Sequence, residues 1–316
     1  NKNMAYDLSG LTSYTQEETA PFFYEMILGA KTIGLIDGAG GVYPGIKGPT
    51  KMPKIFADPT IQADSCNLTA TGDDVITQFS MDVAKMAFAQ TLCEKDLEPY
   101  IFRLQLKQGS NYDSVLLRNE IMEELKRRLK LKMENLLWQG DTTLTSDANL
   151  KWFNGYIKLF KNDVNVKVAT PSPKIPLATV GNARVGLQTL YKTIPLEVIN
   201  DPDTLIFTGM DVVRSYQMDL TAANLFNISG EVKEVGDIAF ENTAMKIVGV
   251  PGLNAKKFAV AVNLRNLAVP TDLANEEERI DIEPVANKKS LFLIQAAWKL
   301  GASYAFGAEV TIYEWS

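Results

Sequence analysis

DSVLLRNEIMEELKRRLKLKMENLLWQG, residues Asp113 to Gly140, is the longest helix the sequence allows. Leu117, Ile121, Met122, Leu125, Leu129, Met133, Leu136 and Leu137 recur at three- and four-residue steps, which sets them on one stripe of a 3.6-period helix. The remaining faces are charged. Asp113 or Ser114 can cap the first turn, and Gly140-Asp141 supplies the left-handed stop on which helices commonly end. Glu120, Glu123 and Glu124 precede Arg127, Arg128, Lys130 and Lys132, so the charge gradient suits the helix dipole. Glu123/Arg127 and Glu124/Arg128 have the favourable i,i+4 orientation. At roughly 1.5 Å per residue the helix would be about 40 Å long, a beam comparable to a small domain.

Around it the bulk composition limits the choices. With 316 residues and 46% hydrophobic content, the chain can fold as one large domain or two. A formal charge of -6 argues against a protein whose main task is gripping nucleic acid, which needs a net basic surface. Histidine is absent, which removes Ser-His-Asp and Cys-His catalysis and every histidine-containing metal site. The two cysteines, Cys66 and Cys93, have neither metal-like nor redox-like spacing and are expected to be reduced thiols. No run approaches the roughly eighteen apolar residues of a membrane span. The first twenty residues lack a signal-peptide design, so the protein is expected to be intracellular when made.

Upstream of the beam, residues 1 to about 21 are polar and show no sustained period; Phe22 to Leu28 add a short amphipathic piece. From Gly29 to Pro53 the density of glycine and proline favours irregular or extended backbone. Within it KTIGLIDGAGG, Lys31 to Gly41, imitates a dinucleotide-binding loop. The match fails, because the third glycine is misplaced and Pro44 disfavours the helix that should follow. Asp64 to Leu92 reads as strand, turn, strand, with Thr71-Gly72-Asp73-Asp74 as the turn and alternation from Val75 to Val83 beyond it. Val75 and Phe79 fall on one face of this hairpin and Ile76 on the other, so both faces need cover, from the same chain or from a neighbouring subunit.

Downstream, Glu98 to Leu106 is a strand-like or linking piece, and Trp152, Phe153, Tyr156, Ile157, Leu159 and Phe160 recur at helical steps, the last of them expected to pack on the beam. Pro171 to Pro176 makes the best internal boundary. Beyond it come a helix over Thr179–Ile194, a buried strand over Thr204–Phe207, a helix from Met210 to Leu220, and strands over Met245–Val250 and Phe258–Val262 joined at Pro251-Gly252. This alternation describes an α+β or α/β subdomain. Asn275 to Arg279 is a charged loop, read either as a solvated turn or as a cation site. Ile280 to Glu283 begins a strand, a long strand runs from Phe292 to Leu300 with a bend at Gly301, and Val310 to Tyr313 is a last piece.

No phosphate loop or nucleophile elbow can be assembled. Cys93, followed by Glu94 and Lys95, reads as an activated thiol or as a part-buried structural cysteine. Asn67-Leu68-Thr69 and Asn227-Ile228-Ser229 match glycosylation acceptors only as short patterns do. Arg127, Arg128, Lys130 and Lys132 read as a solvated, ion-paired helix face or as sparse, sequence-independent contacts to DNA.

A loose N-terminal arm, an extended hairpin, a long helix ending in ENLLWQGDT (Glu134 to Thr142), a central α/β subdomain and a return to long strands resemble the major capsid proteins of tailed bacteriophages, the Hong Kong 97-type fold. The resemblance implies an α+β fold divided into an N-arm (1–43), an E-loop region (44–92), a first part of the P domain (93–175, spine helix 113–139), an A domain (176–274) and P-domain return strands (275–316). It implies a non-enzymatic shell protein that assembles into hexamers and pentamers of an icosahedral capsid, with no cofactor or metal and no membrane. Portal, scaffolding and decoration proteins and packaged double-stranded DNA are the implied partners, and the virion, assembled in the host cytoplasm, is the implied location. Thr71, Gly72, Asp73, Asp74, Val75 and Phe79 would contact a neighbouring subunit, and Arg127, Arg128 and Lys132 would face the interior. A cleaved leader would fit a start at Asn1. An encapsulin-like compartment shell and a histidine-free α/β enzyme are the alternatives.

Overall fold

The computed structural model describes residues 29–62, 64, 72–93, 114–170, 174–223, 237–241, 243–272, 280–284 and 291–315; at 56–59, 72–74, 92, 114–122, 280–284 and 292 it describes the backbone. Expectations for Phe22–Leu28, Cys66, Asn67–Thr69, Glu98–Leu106, Asp113, Pro171, Asn227–Ser229 and Asn275–Arg279 lie outside these residues.

The beam is there, running from Ser114 to Gln139. Its apolar stripe points inward where side chains are described: Leu129, Met133, Leu136 and Leu137 are buried and Leu125 is half-buried against them. Ahead of it come a helix α1 (Lys31–Gly38) and strands β1 (Val42–Tyr43), β2 (Thr50–Pro59), β3 (Gly72–Met81) and β4 (Ala84–Cys93), and the beam itself is α2. The chain continues through α3 (Tyr156–Asn162), β5 (Lys167–Val168), α4 (Ala183–Thr193), β6 (Thr204–Thr208), α5 (Met210–Ala222), β7 (Asp237–Ala239), β8 (Lys246–Gly249) and β9 (Phe258–Asn263). It closes with β10 (Leu267–Pro270), β11 (Ile280–Pro284), β12 (Leu291–Leu300), β13 (Ser303–Tyr304) and β14 (Thr311–Glu314).

The body is built on a mixed sheet ordered β5-β14-β9-β6-β8-β7. Because strand side chains alternate, each face takes every second residue. Leu205, Phe207, Val260, Val262 and Ile312 join the core beneath α2, whereas Ile206, Ala259, Ala261, Ile247 and Tyr313 join a second core with α4 and α5. A sheet covered on both sides needs continuous apolar strands, and β6 (TLIFT) and β9 (FAVAVN) are buried at every position. A second sheet, β11-β12-β4, pairs all ten residues of β12 with β4, from Leu291↔Cys93 to Leu300↔Ala84.

Several expectations need correction. Gly29–Pro53 is not uniformly irregular, because Lys31 to Gly38 forms a helix that buries Thr32, Ile33 and Ile36. Gly140 is not a left-handed stop: among the described glycines, positive φ occurs at Gly40, Gly45 and Gly181. Gly140 is instead needed for close approach, since a Cβ there would lie 2.4 Å from Phe153 O and 2.7 Å from Leu136 O. The chain turns back at this point, with Gly155 N–H donating to Gly140 O at 2.8 Å, and brings Tyr156 against Trp138 with ring centroids 5.5 Å apart. Trp152, the first of the aromatics at helical steps, is exposed, while Phe153, Tyr156 and Phe160 are buried.

The helix expected from Thr179 starts at Ala183 and leaves Val180 exposed. Gly181, at φ 93, breaks the turn before it, and the Asp219 carboxylate reaches over from α5 to accept N–H groups of Gly181 and Arg184. Glu124 accepts from both Arg127 and Arg128, and Glu123 faces Lys126 at 3.6 Å instead of pairing with Arg127. Neighbours at i+3 are as close as those at i+4 on a helix surface, so one carboxylate can serve two guanidiniums.

Candidate assembly surface

The hairpin is longer than its sequence suggests and its first strand lies elsewhere. β2 and β3 form a two-stranded antiparallel sheet in register from Thr50↔Met81 to Pro59↔Gly72. Gly72, Asp73 and Asp74 are therefore strand residues, not turn residues, and Thr71 falls outside the described residues. Pro53 and Pro59 conceal β2 in the sequence. A strand paired on one side only tolerates proline at positions whose N–H would face away from the partner.

The register assigns the faces. Met52↔Phe79 and Lys54↔Thr77, with Val75, lie on one side, and Pro53↔Gln78 and Ile55↔Ile76 on the other. On the first side Met52, Lys54 and Phe79 are half-buried, and Val75 is 48% exposed. On the second, Ile55 is 65% and Ile76 69% exposed. The expected split of Val75 and Phe79 from Ile76 is present. A cross-strand isoleucine pair directed into solvent forgoes about 1.5–3 kcal/mol per side chain that full burial would supply.

The base of the hairpin is fixed to the body. Met81 is fully buried, and Ser303 Oγ donates to Ser80 O at 2.8 Å. Gly301 lies so close to Asp82 that a Cβ would meet Asp82 O at 2.0 Å. Asp82 and Val83 carry the chain into β4, a strand missed in the sequence although Met86 turns into the core and its neighbours Lys85 and Ala87 turn out.

The basic positions of α2 lie on its solvent side. Arg127 and Arg128 side chains are 65% and 68% exposed, and Lys132 is exposed. Both arginines hold Glu124, through contacts of 2.8 and 2.6 Å, and these hydrogen bonds, with Arg127 the stronger, pull the Glu124 carboxyl down to about 2. The anion between them reduces the net charge this face presents.

The sequence reading also missed a buried polar cluster inside the beam's apolar stripe. Glu134, 1% exposed, accepts from Thr32 N at 3.1 Å and from Thr32 Oγ1, while Trp138 Nε1 donates to Thr32 Oγ1 at 2.8 Å and Glu134 Oε1 at 3.1 Å. Burial pushes the Glu134 carboxyl up, opposed by the Thr32 and Trp138 hydrogen bonds and the Lys31 charge. The cluster fastens α1 to α2. Its sequence signal was a glutamate next to Met133 in an otherwise apolar stripe. Cys93 is half-buried on β4. Among the described residues no group of three or more acidic or cysteine side chains is placed to hold a metal, and no helix is long and apolar enough to cross a membrane.

No protein-family model and no curated protein matches the chain. Solved structures do. A chain of the satellite phage P4 procapsid, determined with its size determination (Sid) protein, superposes with a TM-score of 0.59 at 15% identity, covering 93% of this chain and 96% of the other. A Gordonia phage Cozz chain gives 0.55 at 10% identity, over 89% and 86%. A chain of a virus-like particle from Pyrococcus furiosus gives 0.52 at 8% identity, over 96% and 100%. At these identities the likeness is one of fold.

Proposed function

We propose that this chain, which has the mixed helix-and-sheet fold of phage capsid proteins, is the major capsid protein of a tailed phage and self-assembles into the icosahedral shell around its double-stranded DNA. The exposed Ile55–Ile76 pair supports this reading most directly. A two-stranded hairpin alone is marginal in water, and one that keeps apolar groups on its outer face is better stabilised against another subunit. In the Hong Kong 97-type division, 44–92 is the E-loop region reaching a neighbour through Val75 and Phe79 as well as the isoleucines, 1–43 the N-arm, and 93–175 with 275–316 the P domain. Residues 176–274, the A domain, gather around the local symmetry axes of hexamers and pentamers. Arg127, Arg128 and Lys132 face the packaged DNA through weak, sequence-independent contacts. Portal, scaffolding and decoration proteins complete the virion, assembled in the host cytoplasm, and no enzymatic step is assigned.

Electron microscopy and native mass measurement of the purified protein test this. Closed shells are expected; a monomer that forms no particle under any condition overturns the proposal. Nucleic acid packaged in particles from infected cells separates a genome shell from an encapsulin-like compartment.

A further inference from the structure

Lys54 stands four residues up β2 from the hairpin base, on the face turned towards the body. Its ammonium donates to Ala305 O at 2.7 Å and lies 5.1 Å from the centroid of the Phe306 ring. Beside it, Tyr304 OH donates to Asp163 Oδ2 at 2.8 Å. The Asp163 carboxyl is raised by burial, yet hydrogen bonds from Asn165 and Tyr304 and the Lys54 charge together bring it below its ordinary value. A carbonyl and an aromatic face meet one cation in a nook, each attractive to it, and the Asp163 carboxylate acts on it by charge from beyond ion-pair contact.

The nook is rigid. Buried Asn266 donates to Phe306 O at 2.7 Å and accepts from Ala305 N at 3.0 Å and Phe306 N at 2.7 Å, and the Phe160 and Tyr304 rings meet edge-on at 5.0 Å. The hairpin is thus held at two heights. Ser303 meets Ser80 at the foot of β3, and the nook takes Lys54 farther up β2. One attachment at the foot would leave the hairpin free to tilt about Asp82-Val83, whereas two on different strands fix its angle.

We infer that Lys54 is a releasable strut that sets the tilt of the hairpin, and through it the geometry in which a second copy of this chain is engaged. The strut is one ammonium on a flexible stem, which water can resolvate, so its release leaves the cores intact. The consequence for a second copy rests on the shell reading; the strut itself does not.

Hydrogen exchange on the unassembled full-length subunit tests the strut independently of shell formation. Lys54→Met should speed exchange of the paired amides at 50–55 and 76–81 about tenfold, as expected for loss of a charge-assisted hydrogen bond, with β6 and β9 unchanged. Lys54→Arg should restore protection to within about threefold, and Asp163→Asn should give an intermediate effect. Exchange at 50–55 and 76–81 within twofold of wild type in Lys54→Met overturns the strut. Accelerated exchange together with particles of unchanged size and shape retains the strut but overturns its role in assembly; subunits that never form particles, wild type included, count against the shell reading instead.

Discussion

β6 and the β2–β3 hairpin are both apolar strand segments, and they end in opposite surroundings. Thr204 to Thr208 is buried at all five positions between α2 on one side and α4 and α5 on the other. Ile55 and Ile76, paired across the hairpin, remain more than half exposed. Both lie in one chain and obey the same period-2 geometry, so the difference is not one of strand propensity. It depends on whether the chain can bring a second layer to that face. An apolar strand pattern states a demand for cover and does not name what supplies it.

The widest separation between the two regions should come from Trp138→Ala. Trp138 is fully buried, touches Tyr156 and Phe207, and donates into the Thr32–Glu134 cluster. Its loss should cost about 3–5 kcal/mol in denaturant unfolding, and a cost under about 1 kcal/mol would contradict the assigned core. The outer face of the hairpin should respond in the reverse manner. Ile55→Lys with Ile76→Lys should change subunit stability by less than about 0.5 kcal/mol per site while abolishing particles in electron microscopy. Unfolding of that double variant would assign the hairpin to its own subunit's core.

A smaller effect is expected at Glu134. Its carboxyl is raised above 4.5 by burial in the folded state, so its contribution to stability is fully present below about pH 4.5 and is lost as pH rises through the raised value. Denaturation of Glu134→Gln beside wild type should show the difference moving in the variant's favour as pH rises from 4.5 to about 8. A pH-independent difference would place the carboxyl in contact with water. Glu124 should show the smallest effect, with the opposite sign: its carboxyl, lowered from 4.5 to about 2, contributes stability present above pH 4.5 and lost as pH falls towards 2. Because it is exposed, Glu124→Gln should barely alter unfolding at pH 7, and NMR titration should show the pKa returning towards 4.5 in Arg127→Ala with Arg128→Ala.

Much of the body was legible because its elements advertise their own period. The α2 stripe, the aromatic return at Tyr156 and Phe160, β6, α5, β9 and β12 are local patterns, and each appears within a few residues of where it was expected. The errors share a cause. α1 is glycine-rich and short, and it is helical because Thr32, Ile33 and Ile36 find a dry seat on α2 and its neighbours. The first strand of the hairpin is hard to read from the sequence because β2 carries prolines and its partner β3 begins only at Gly72, opposite Pro59. Gly140 has the sequence context of a cap, whereas in the fold backbone from Phe153 and Gly155 crowds the space its side chain would occupy.

The sequence by itself determined the long amphipathic helix, the alternating helices and strands of the body, the absence of histidine chemistry, and the presence of a hairpin with apolar groups on both faces. These depend on period and composition, which neighbouring residues encode. Only the tertiary structure decided which strands pair, that one sheet divides two cores, that Glu134 is held dry by Thr32 and Trp138, and that Ile55 and Ile76 are left uncovered. Those outcomes depend on contacts between residues far apart in the chain, and close approach and desolvation act only once the chain has brought them together.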